Sequence, residues 1–390
     1  MKKACVVGGS NGIGLAITKE LINKGYHVYI VDISEPDESV LSFNSTYTYI
    51  KYNLLDFNTA TFKTLAEDGD LEVLMVTAGI GRCTHFENLN LGEINNIFTI
   101  NTVSTIKIIK LFYKKILSDT QFYCGIMGSI AGFINSPLFS VYAASKAAVC
   151  RFIESVNIEL EQRKYRNRIL NISPGSIKGT KFNGSNYNDI NLTIGIAKDI
   201  LLHLFSSSEL YIPEYDTIYK KVLEKNKVDS HSFGLESYEY KIQSGRFSDQ
   251  YEGCIGYLSG TFDLFHIGHL NLLKRAKSMC DYLIVGVHPD ASHKGKETFI
   301  PFEERKELIR SVRFVDEVIT SFPEDSAAWD NIHYDKLFVG SDYKNSERFK
   351  NYESYFQDKG VEIVYFPYTQ GTSSTQIRNV ILSKTQDKNH

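Results

Sequence analysis

Tyr142 and Lys146 stand four residues apart at the start of a stretch with helical spacing, so they share one face. A lysine ammonium beside a phenol favours the phenolate and draws its pKa below the ordinary value of about 10. Such a phenol can pass a proton to a carbonyl oxygen near neutral pH while a hydride reaches the carbon. Ser129, thirteen residues upstream and just past an expected strand at Gln121–Met127, can hold that oxygen by a hydrogen bond. A matching cofactor cradle is written at the N-terminus. Gly8-Gly9-Ser10-Asn11-Gly12-Ile13-Gly14 follows a short apolar strand, Ala4–Val7, and opens a helix. Glycines there let the backbone approach a pyrophosphate, which sits at the positive end of the helix. Asp32 ends the second strand, 18 residues beyond Gly14. A carboxylate there accepts hydrogen bonds from ribose hydroxyls and repels a 2′-phosphate, which favours NAD(H) over NADP(H).

A second constellation lies far downstream. Gly260-Thr261-Phe262-Asp263-Leu264-Phe265-His266-Ile267-Gly268-His269 falls between a strand and a helix. Two histidines three apart can bind a metal, but no third ligand follows at zinc-enzyme spacing. A helix N-terminus, two imidazole donors and a glycine suit charge building on a nucleotide α-phosphate better. Lys294 and Lys296 form a short basic loop. Arg305 and Arg313 are eight apart, about two helical turns, and are expected on one helix face. Gly371-Thr372-Ser373-Ser374-Thr375 offers hydroxyls and backbone donors before a last helix, a phosphate-binding composition that also serves as an N-cap.

The elements that must position these residues read as an α/β chain. Leu15–Asn23 has helical spacing, Gly25 ends it, and His27–Val31 is the next strand. The alternation continues through strands at Leu71–Val76, Gln121–Met127 and Ile169–Ile172, and helices at Glu93–Leu111, Tyr142–Leu160 and Ile196–Phe205. Asn226–Glu252 is polar and aperiodic, and is expected as a linker or extended arm. The rhythm restarts at Cys254–Leu258 and runs to a helix at Thr375–Leu382. Two Rossmann-like parallel-sheet domains follow: 1–225, a doubly wound NAD(P)-binding fold, and 253–390, a smaller one.

Composition is consistent with this. The chain has 390 residues, 43% hydrophobic and 23% charged, which excludes collagenous, coiled-coil and disordered classes. A net charge of −3 gives no global field for duplex DNA, so no nucleic-acid partner is expected. The six cysteines are scattered without a CxxC pair, arguing against a zinc or disulfide framework. The apolar run after Met1-Lys2-Lys3 is too short for a signal peptide, and no segment spans a membrane. A cytoplasmic enzyme acting on small molecules is expected.

Taken together, the first constellation resembles the short-chain dehydrogenase/reductase family over residues 1–215. The motifs keep the family order: GGSNGIG, Thr77-Ala78-Gly79, Asn101, Ser129, Tyr142-Ala143-Ala144-Ser145-Lys146 and Pro174-Gly175. The resemblance implies catalytic roles for Ser129, Tyr142 and Lys146, with Asn101 supporting a proton relay through water. It also implies cofactor contacts at Gly79, Pro174, Gly175 and Ile177, at Thr180 for the nicotinamide amide, and at Asn53 for adenine. Val7 and Thr77 depart from the family's usual threonine and asparagine.

The second constellation, over residues 254–383, resembles the glycerol-3-phosphate cytidylyltransferase type of the HxGH nucleotidyltransferase superfamily. It carries GTFDLFHIGHL, VDEVI at Val315–Ile319, Gly340-Ser341-Asp342 and GTSSTQIR. The resemblance implies in-line attack of a substrate phosphate on the CTP α-phosphorus, with Mg²⁺ assisting pyrophosphate departure. His266 and His269 would stabilise the transition state. Gly260, Thr261, Phe262, Asp263, Lys294, Lys296, Arg305, Arg313, Asp316, Asp342, Thr369, Gly371, Ser373, Ser374 and Thr375 would bind nucleotide or acceptor. Tyr368 stands where that family has an arginine.

Joined on one chain, the two sites imply consecutive steps: a keto-sugar phosphate reduced to a polyol phosphate, then converted to a CDP-polyol for a surface polysaccharide. CDP-ribitol is the leading expectation, with CDP-glycerol and CDP-mannitol types open. A transferase carrying an NAD-binding sensor domain is the alternative of another class. By resemblance, a homodimer or homotetramer is expected.

Overall fold

Every residue of the first strand, Lys3-Ala-Cys-Val-Val, is apolar after the lysine, and all four apolar side chains are buried. A strand buried on both faces belongs in the middle of a parallel sheet covered by helices. That is its place in the computed structural model, which describes residues 1–37, 39–41, 46–180, 182, 189–249, 253–291, 297–367 and 376–379. The chain divides into two units, Met1–Gln250 and Tyr251–His390.

In chain order the first unit contains β1 (Lys3–Val7), α1 (Gly12–Asn23), β2 (His27–Asp32), β3 (Tyr47–Lys51), α2 (Thr59–Glu67) and β4 (Leu71–Val76). Next come α3 (Leu91–Phe98), α4 (Thr105–Ile116), β5 (Tyr123–Met127), α5 (Ser140–Gln162) and β6 (Ile169–Ile172). It ends with α6 (Ile190–Phe205), β7 (Leu210–Tyr211), α7 (Lys220–Val228) and α8 (Ser230–Gln243). The seven strands are parallel in the order β3-β2-β1-β4-β5-β6-β7. Alternating side chains feed two cores. Cys5 and Val7 join Phe62, Phe112 and Ile153, while Ala4 and Val6 join Leu15, Ile17 and Leu201.

Where one helix was expected at Glu93–Leu111, α3 and α4 are separated by a π-helical turn, Thr99–Ser104. A π-turn inserts a residue into the helical register and turns a side chain inward. Here that side chain is Asn101, which is 1% exposed.

Within the expected linker at 226–252, the described residues 226–249 are mostly helix, α7 and α8, and belong to the first unit. Its polar sequence conceals this because it docks largely by polar contacts. Lys241 Nζ donates to Ser136 Oγ (2.9 Å) and the Pro137 carbonyl (2.8 Å), and Asn135 Nδ2 donates to the Ser230 carbonyl (2.9 Å). Asp249 accepts from Asn88, Thr84 and His85, and His85 Nε2 meets the Tyr238 hydroxyl at 2.9 Å.

The second unit contains β8 (Ile255–Gly260), α9 (Ile267–Lys277), β9 (Tyr282–Val287), α10 (Phe302–Arg310) and β10 (Glu317–Thr320). It continues with α11 (Asp325–Ile332), β11 (Lys336–Gly340), α12 (Glu347–Phe356) and β12 (Glu362–Phe366). Its sheet is also parallel, in the order β10-β9-β8-β11-β12. Leu258, Val285 and Phe338 face one core with Leu273 and Ile309, while Tyr257, Ile284 and Leu337 face another with Tyr352 and Phe356.

Arg305 has a different task from the ligand contact expected of it. It is fully buried on α10, and its guanidinium donates to the carbonyls of Ile300, Thr261, His288 and Pro289. These carbonyls belong to the segments after β8, after β9 and before α10, so one side chain ties three loops together. Arg305→Met leaves those acceptors buried and unpaired, at about 1–3 kcal/mol for each group that finds no new donor. The expected result for Arg305→Met is a lowered melting transition of the second unit by calorimetry, without a selective rise in KM for that unit's ligand.

Candidate active sites

In an open parallel sheet, ligands bind beyond the carboxyl ends of the strands where strand order reverses. In the first unit that point lies between β1 and β4, and the glycine turn fills it. Gly8 has φ +84°, and a Cβ there would lie 2.5 Å from the Ala78 nitrogen, so only glycine fits. Thr77, one of the departures from the expected pattern, braces this turn, its hydroxyl donating to the Val7 and Gly8 carbonyls, each at 3.0 Å. α1 begins at Gly12 without a side-chain cap and without an acidic residue in its first turn, so its positive end suits an anion.

Ser10 Oγ is buried without a hydrogen-bond partner, and the Ser10 nitrogen donates to Asp32 Oδ2 at 2.9 Å. Asp32 Oδ1 accepts from the Ile33 nitrogen at 2.7 Å, which fixes the carboxylate at the end of β2. Asn11 donates to Ser34 Oγ (3.0 Å), and Ile13 packs against the core under the turn. An orphaned hydroxyl, an anion-favouring helix end and a fixed carboxylate fit a nicotinamide dinucleotide. Asn53 lies beyond β3, where its Oδ1 caps a short turn through the Leu55 nitrogen (3.0 Å).

The four residues expected at the reacting carbon come together at the same strand edge. Ser129 follows β5, its Oγ accepts from the Ala131 nitrogen at 3.2 Å, and its hydroxyl acts to lower the pKa of the Tyr142 phenol. Lys146, 2% exposed, donates to the Met127 carbonyl at 2.8 Å and lies 5.8 Å from the Tyr142 ring centroid. Asn101 clasps Ile80 through both its amide atoms, each at 2.8 Å, and also donates to Ser145 Oγ. Gly79 borders Lys146 Nζ and Asn101 Oδ1. The expected lowering of the phenol's pKa is absent. Burial pushes Tyr142 up to about 12, only partly opposed by the Ser129 hydrogen bond, and pushes Lys146 down to about 8. Desolvation is the largest cause of both shifts in this apolar setting.

The Pro174 carbonyl accepts from the Ile130 nitrogen (3.0 Å), joining the turn after β6 to Ser129. The Tyr219 hydroxyl stands against Gly175, where a Cβ would be 1.6 Å from it. Thr180 donates to the Ile177 carbonyl at 3.1 Å. Sequence reasoning missed the wall opposite. Cys83, Leu138 and Phe139 form a cluster with Tyr142, Tyr238 and Phe247, the last two from the segment read as a linker. No local signal marks residues so far apart in the chain.

In the second unit the order reverses between β8 and β11, and the histidine turn occupies that point. His266 is the N-cap of α9, its Nδ1 accepting from the Gly268 nitrogen at 3.0 Å. His269 Nδ1 accepts from the His266 nitrogen at 3.4 Å, and the two rings lie 4.1 Å apart. A backbone N–H can only donate, so each neutral ring accepts at Nδ1 and carries its proton on Nε2 as a donor. Burial lowers the pKa of His266, which keeps it neutral at pH 7. His269 is held between Phe262 (5.4 Å) and Phe265 (5.6 Å). Phe262 and Leu264 have φ of +52° and +51°, strain that the surrounding packing maintains.

Gly260 ends β8 beneath the Phe262 ring, and Thr261 Oγ1 is buried without a partner. Asp342 is exposed just beyond β11, its carboxylate over Gly340. Asp263 accepts from the Phe299 and Ile300 nitrogens and from Arg378 Nη2 (3.1 Å), so it organises loops around the site. Arg378 also donates to the Glu297 carbonyl at 2.7 Å, a role not expected from sequence.

Two further expectations need correction. Asp316 is paired with Lys277 (2.6 Å) and the Leu283 nitrogen (2.7 Å), fastening α9 to β9. Arg313 does not share a helix face with Arg305: α10 ends at Arg310, and Arg313 is exposed while Arg305 is buried. Lys294, Lys296, Thr369, Gly371, Ser373, Ser374 and Thr375 lie outside the described residues.

These two arrangements define a dinucleotide-dependent reductase fold and an HxGH-type nucleotidyltransferase fold on one chain. Comparison with known proteins agrees. The profile described as short chain dehydrogenase matches residues 2–191, and that described as cytidylyltransferase-like matches residues 257–380. A glycerol-3-phosphate cytidylyltransferase of Bacillus subtilis is 36% identical over 126 residues, covering 31% of this chain and 92% of the relative. That of Staphylococcus aureus is 33% identical over 129 residues, covering 32% of this chain and 92% of the relative. A dehydrogenase of Cochliobolus heterostrophus, RED2, is 29% identical over 167 residues, covering 42% of this chain and 63% of its own.

A short-chain dehydrogenase structure from Streptomyces avermitilis shares the fold at 18% identity and TM-score 0.50, covering 62% of this chain and 98% of that one. The chain is a fusion of a short-chain dehydrogenase/reductase with a member of the glycerol-3-phosphate cytidylyltransferase family. It is therefore an enzyme with an oxidoreductase and a cytidylyltransferase domain.

His266→Asn separates the cap from the imidazole donor, because asparagine caps helices well but cannot reproduce Nε2–H. Cytidylyl transfer is expected to fall about 10²–10³-fold in kcat. The melting temperature of the unit should stay within about 2 °C of the parent, since the N-cap is kept.

Proposed function

We propose that the two domains act in sequence, the first reducing a ketose phosphate with NADH and the second converting the resulting polyol phosphate to a CDP-polyol. The observation that carries this reading is the complete Ser129, Tyr142 and Lys146 site joined to a domain spanning 92% of a transferase named for a polyol phosphate. One chain carrying both sites raises the local concentration of the shared intermediate.

Held at the glycine turn beside Ser10, Asn11 and Asp32, a nicotinamide cofactor would supply hydride chemistry at the carbonyl carbon. Ser129 Oγ holds the carbonyl oxygen and Tyr142 Oη gives it a proton, so the carbonyl gains two electrons and two hydrogens to become an alcohol. A phenol pushed up to about 12 is protonated at neutral pH, which suits reduction rather than alcohol oxidation. Lys146 stays beside the reacting oxygen as a buried ammonium, and Asn101 holds the Ile80 segment around it. The Asp32 carboxylate supports NADH over NADPH, by repulsion of a 2′-phosphate.

In the second domain the polyol phosphate oxygen attacks the CTP α-phosphorus as the bond to pyrophosphate breaks. His266 and His269 meet the growing negative charge through Nε2–H, so catalysis is positioning and charge stabilisation. Among the described residues no group of three or more side chains forms a metal cage, so Mg²⁺ would be held chiefly by the CTP phosphates. We take ribulose 5-phosphate and CDP-ribitol, a surface-polymer precursor, as the leading pair. The names of the bacterial relatives favour a triose phosphate and CDP-glycerol as the second.

Reduction should be level through neutrality and fall above about pH 8 as Lys146 loses its proton, checked by the pH profile of kcat. The decisive assay supplies one ketose phosphate at a time, of three, five or six carbons, with NADH, CTP and Mg²⁺, and reads products by mass spectrometry. A CDP-alditol that needs both NADH and CTP is expected. Conversion of supplied polyol phosphates, with none from any ketose phosphate, would leave the first domain with a different substrate or a sensing role.

A further inference from the structure

The cofactor crevice has a direction. Asp32, suited to a ribose, ends β2, and the glycine turn suited to the pyrophosphate follows β1. Ser129, beside the carbonyl oxygen, follows β5. The strand order β2-β1-β4-β5-β6 sets these groups in a line along the carboxyl edge. Hydride transfer needs its two carbons nearly in contact, so a nicotinamide ring bound in this line must reach the β5–β6 end. The turn after β6, Pro174-Gly175, borders that end, because the Pro174 carbonyl accepts from the nitrogen of Ile130, next to Ser129, at 3.0 Å.

Support for this turn arrives from beyond β7. That strand pairs with β6, and the Ser173 nitrogen donates to the Tyr211 carbonyl at 2.8 Å, so the chain leaving β7 emerges beside the turn leaving β6. Glu214 then takes a φ of +56°, and a π-helical turn, Tyr215–Tyr219, follows it. The Tyr219 nitrogen closes that turn on the Glu214 carbonyl at 3.2 Å. A left-handed residue with a side chain and a π-turn are both locally unfavourable, and they cluster at functional sites. The other π-turn among the described residues, Thr99–Ser104, is the one that buries Asn101. What this second turn delivers is the Tyr219 phenol. A Cβ added to Gly175 would overlap Tyr219 Oη and Cζ. Gly175 is outside the left-handed region, so its own backbone would accept alanine. It is the phenol that excludes a side chain there, by filling its place.

We propose that Tyr219 is a positioning residue for the nicotinamide end of the cofactor, its hydroxyl bracing the Pro174-Gly175 turn from the side away from Ser129. This rests on the reading of the first domain as a nicotinamide-dependent reductase. The segment after β7 thereby contributes to cofactor binding as well as to the wall around Tyr142. Tyr219 acts through Gly175, so its influence is confined to the nicotinamide half and spares the adenosine half held near Asp32.

The test measures binding to the full-length protein without any carbonyl substrate. NADH and NADPH are titrated by nicotinamide fluorescence, and ADP-ribose and its 2′-phosphate, which lack nicotinamide, by calorimetry. Tyr219→Ala is expected to weaken the preferred dinucleotide about 10-fold, the cost of ordering a loosened turn, and to leave its nicotinamide-free fragment within about twofold. Tyr219→Phe keeps the ring and should fall between parent and Tyr219→Ala. Gly175→Ala drives a methyl into the phenol and should weaken the dinucleotide as well. Adding Tyr219→Ala to Gly175→Ala vacates that place and should return affinity toward the parent, a coupling that two independent defects do not show. Equal losses for dinucleotide and fragment in both Tyr219 variants, an unchanged dinucleotide affinity in Tyr219→Ala, or additive losses in the double variant overturns the proposal and leaves the cofactor reading intact. A parent that binds neither NADH nor NADPH overturns both.

Discussion

Two parallel sheets whose strand order reverses at the centre impose the layout of this enzyme. Where neighbouring strands run to opposite sides, the loops leaving them diverge and open a crevice at the carboxyl edge. Helices starting there present unsatisfied backbone N–H groups to whatever enters, so both crevices favour anions before any side chain acts. The glycine turn between β1 and α1 occupies one crevice, and the histidine turn between β8 and α9 occupies the other. Each then adds fixed polar groups: Asp32 in the first, and the imidazoles of His266 and His269, held through Nδ1, in the second.

The same constraint separates residues that hold ligand from residues that hold loops. A crevice built from diverging loops needs bracing, and charged side chains near it are drawn into that work. Arg305 is wholly committed to four carbonyls, Asp316 to Lys277, and Asp263 to two backbone nitrogens and Arg378. A charged residue beside a nucleotide site is therefore ambiguous until its partners are known. The two histidines are clearer, because their backbone bonds fall on Nδ1 and leave the proton on Nε2.

Burial sets the chemistry of the reductase site. Tyr142 and Lys146 are placed in an apolar wall completed by Phe139, Tyr238 and Phe247, and desolvation moves their proton affinities in opposite directions. The phenol is kept protonated and the ammonium is made easier to discharge.

Much of this was legible in the residue order. Strands such as Leu71–Val76 and Tyr282–Val287 are continuous apolar runs, which parallel sheets require, and the glycine and histidine turns are contiguous motifs whose chemistry follows from spacing alone. Asn101, Ser129, Tyr142 and Lys146 could be chosen because their order matched a known pattern. Tertiary structure decided what depends on distant partners. The helices of the supposed linker dock through polar contacts, which leave no periodicity to read. Whether Arg305 meets phosphate or carbonyl depends on loops 44 and 17 residues away. The direction of the Tyr142 shift depends on solvent exclusion by residues up to Phe247. Local spacing records backbone geometry and local neighbours, whereas desolvation and long-range pairing exist only once the chain has closed on itself.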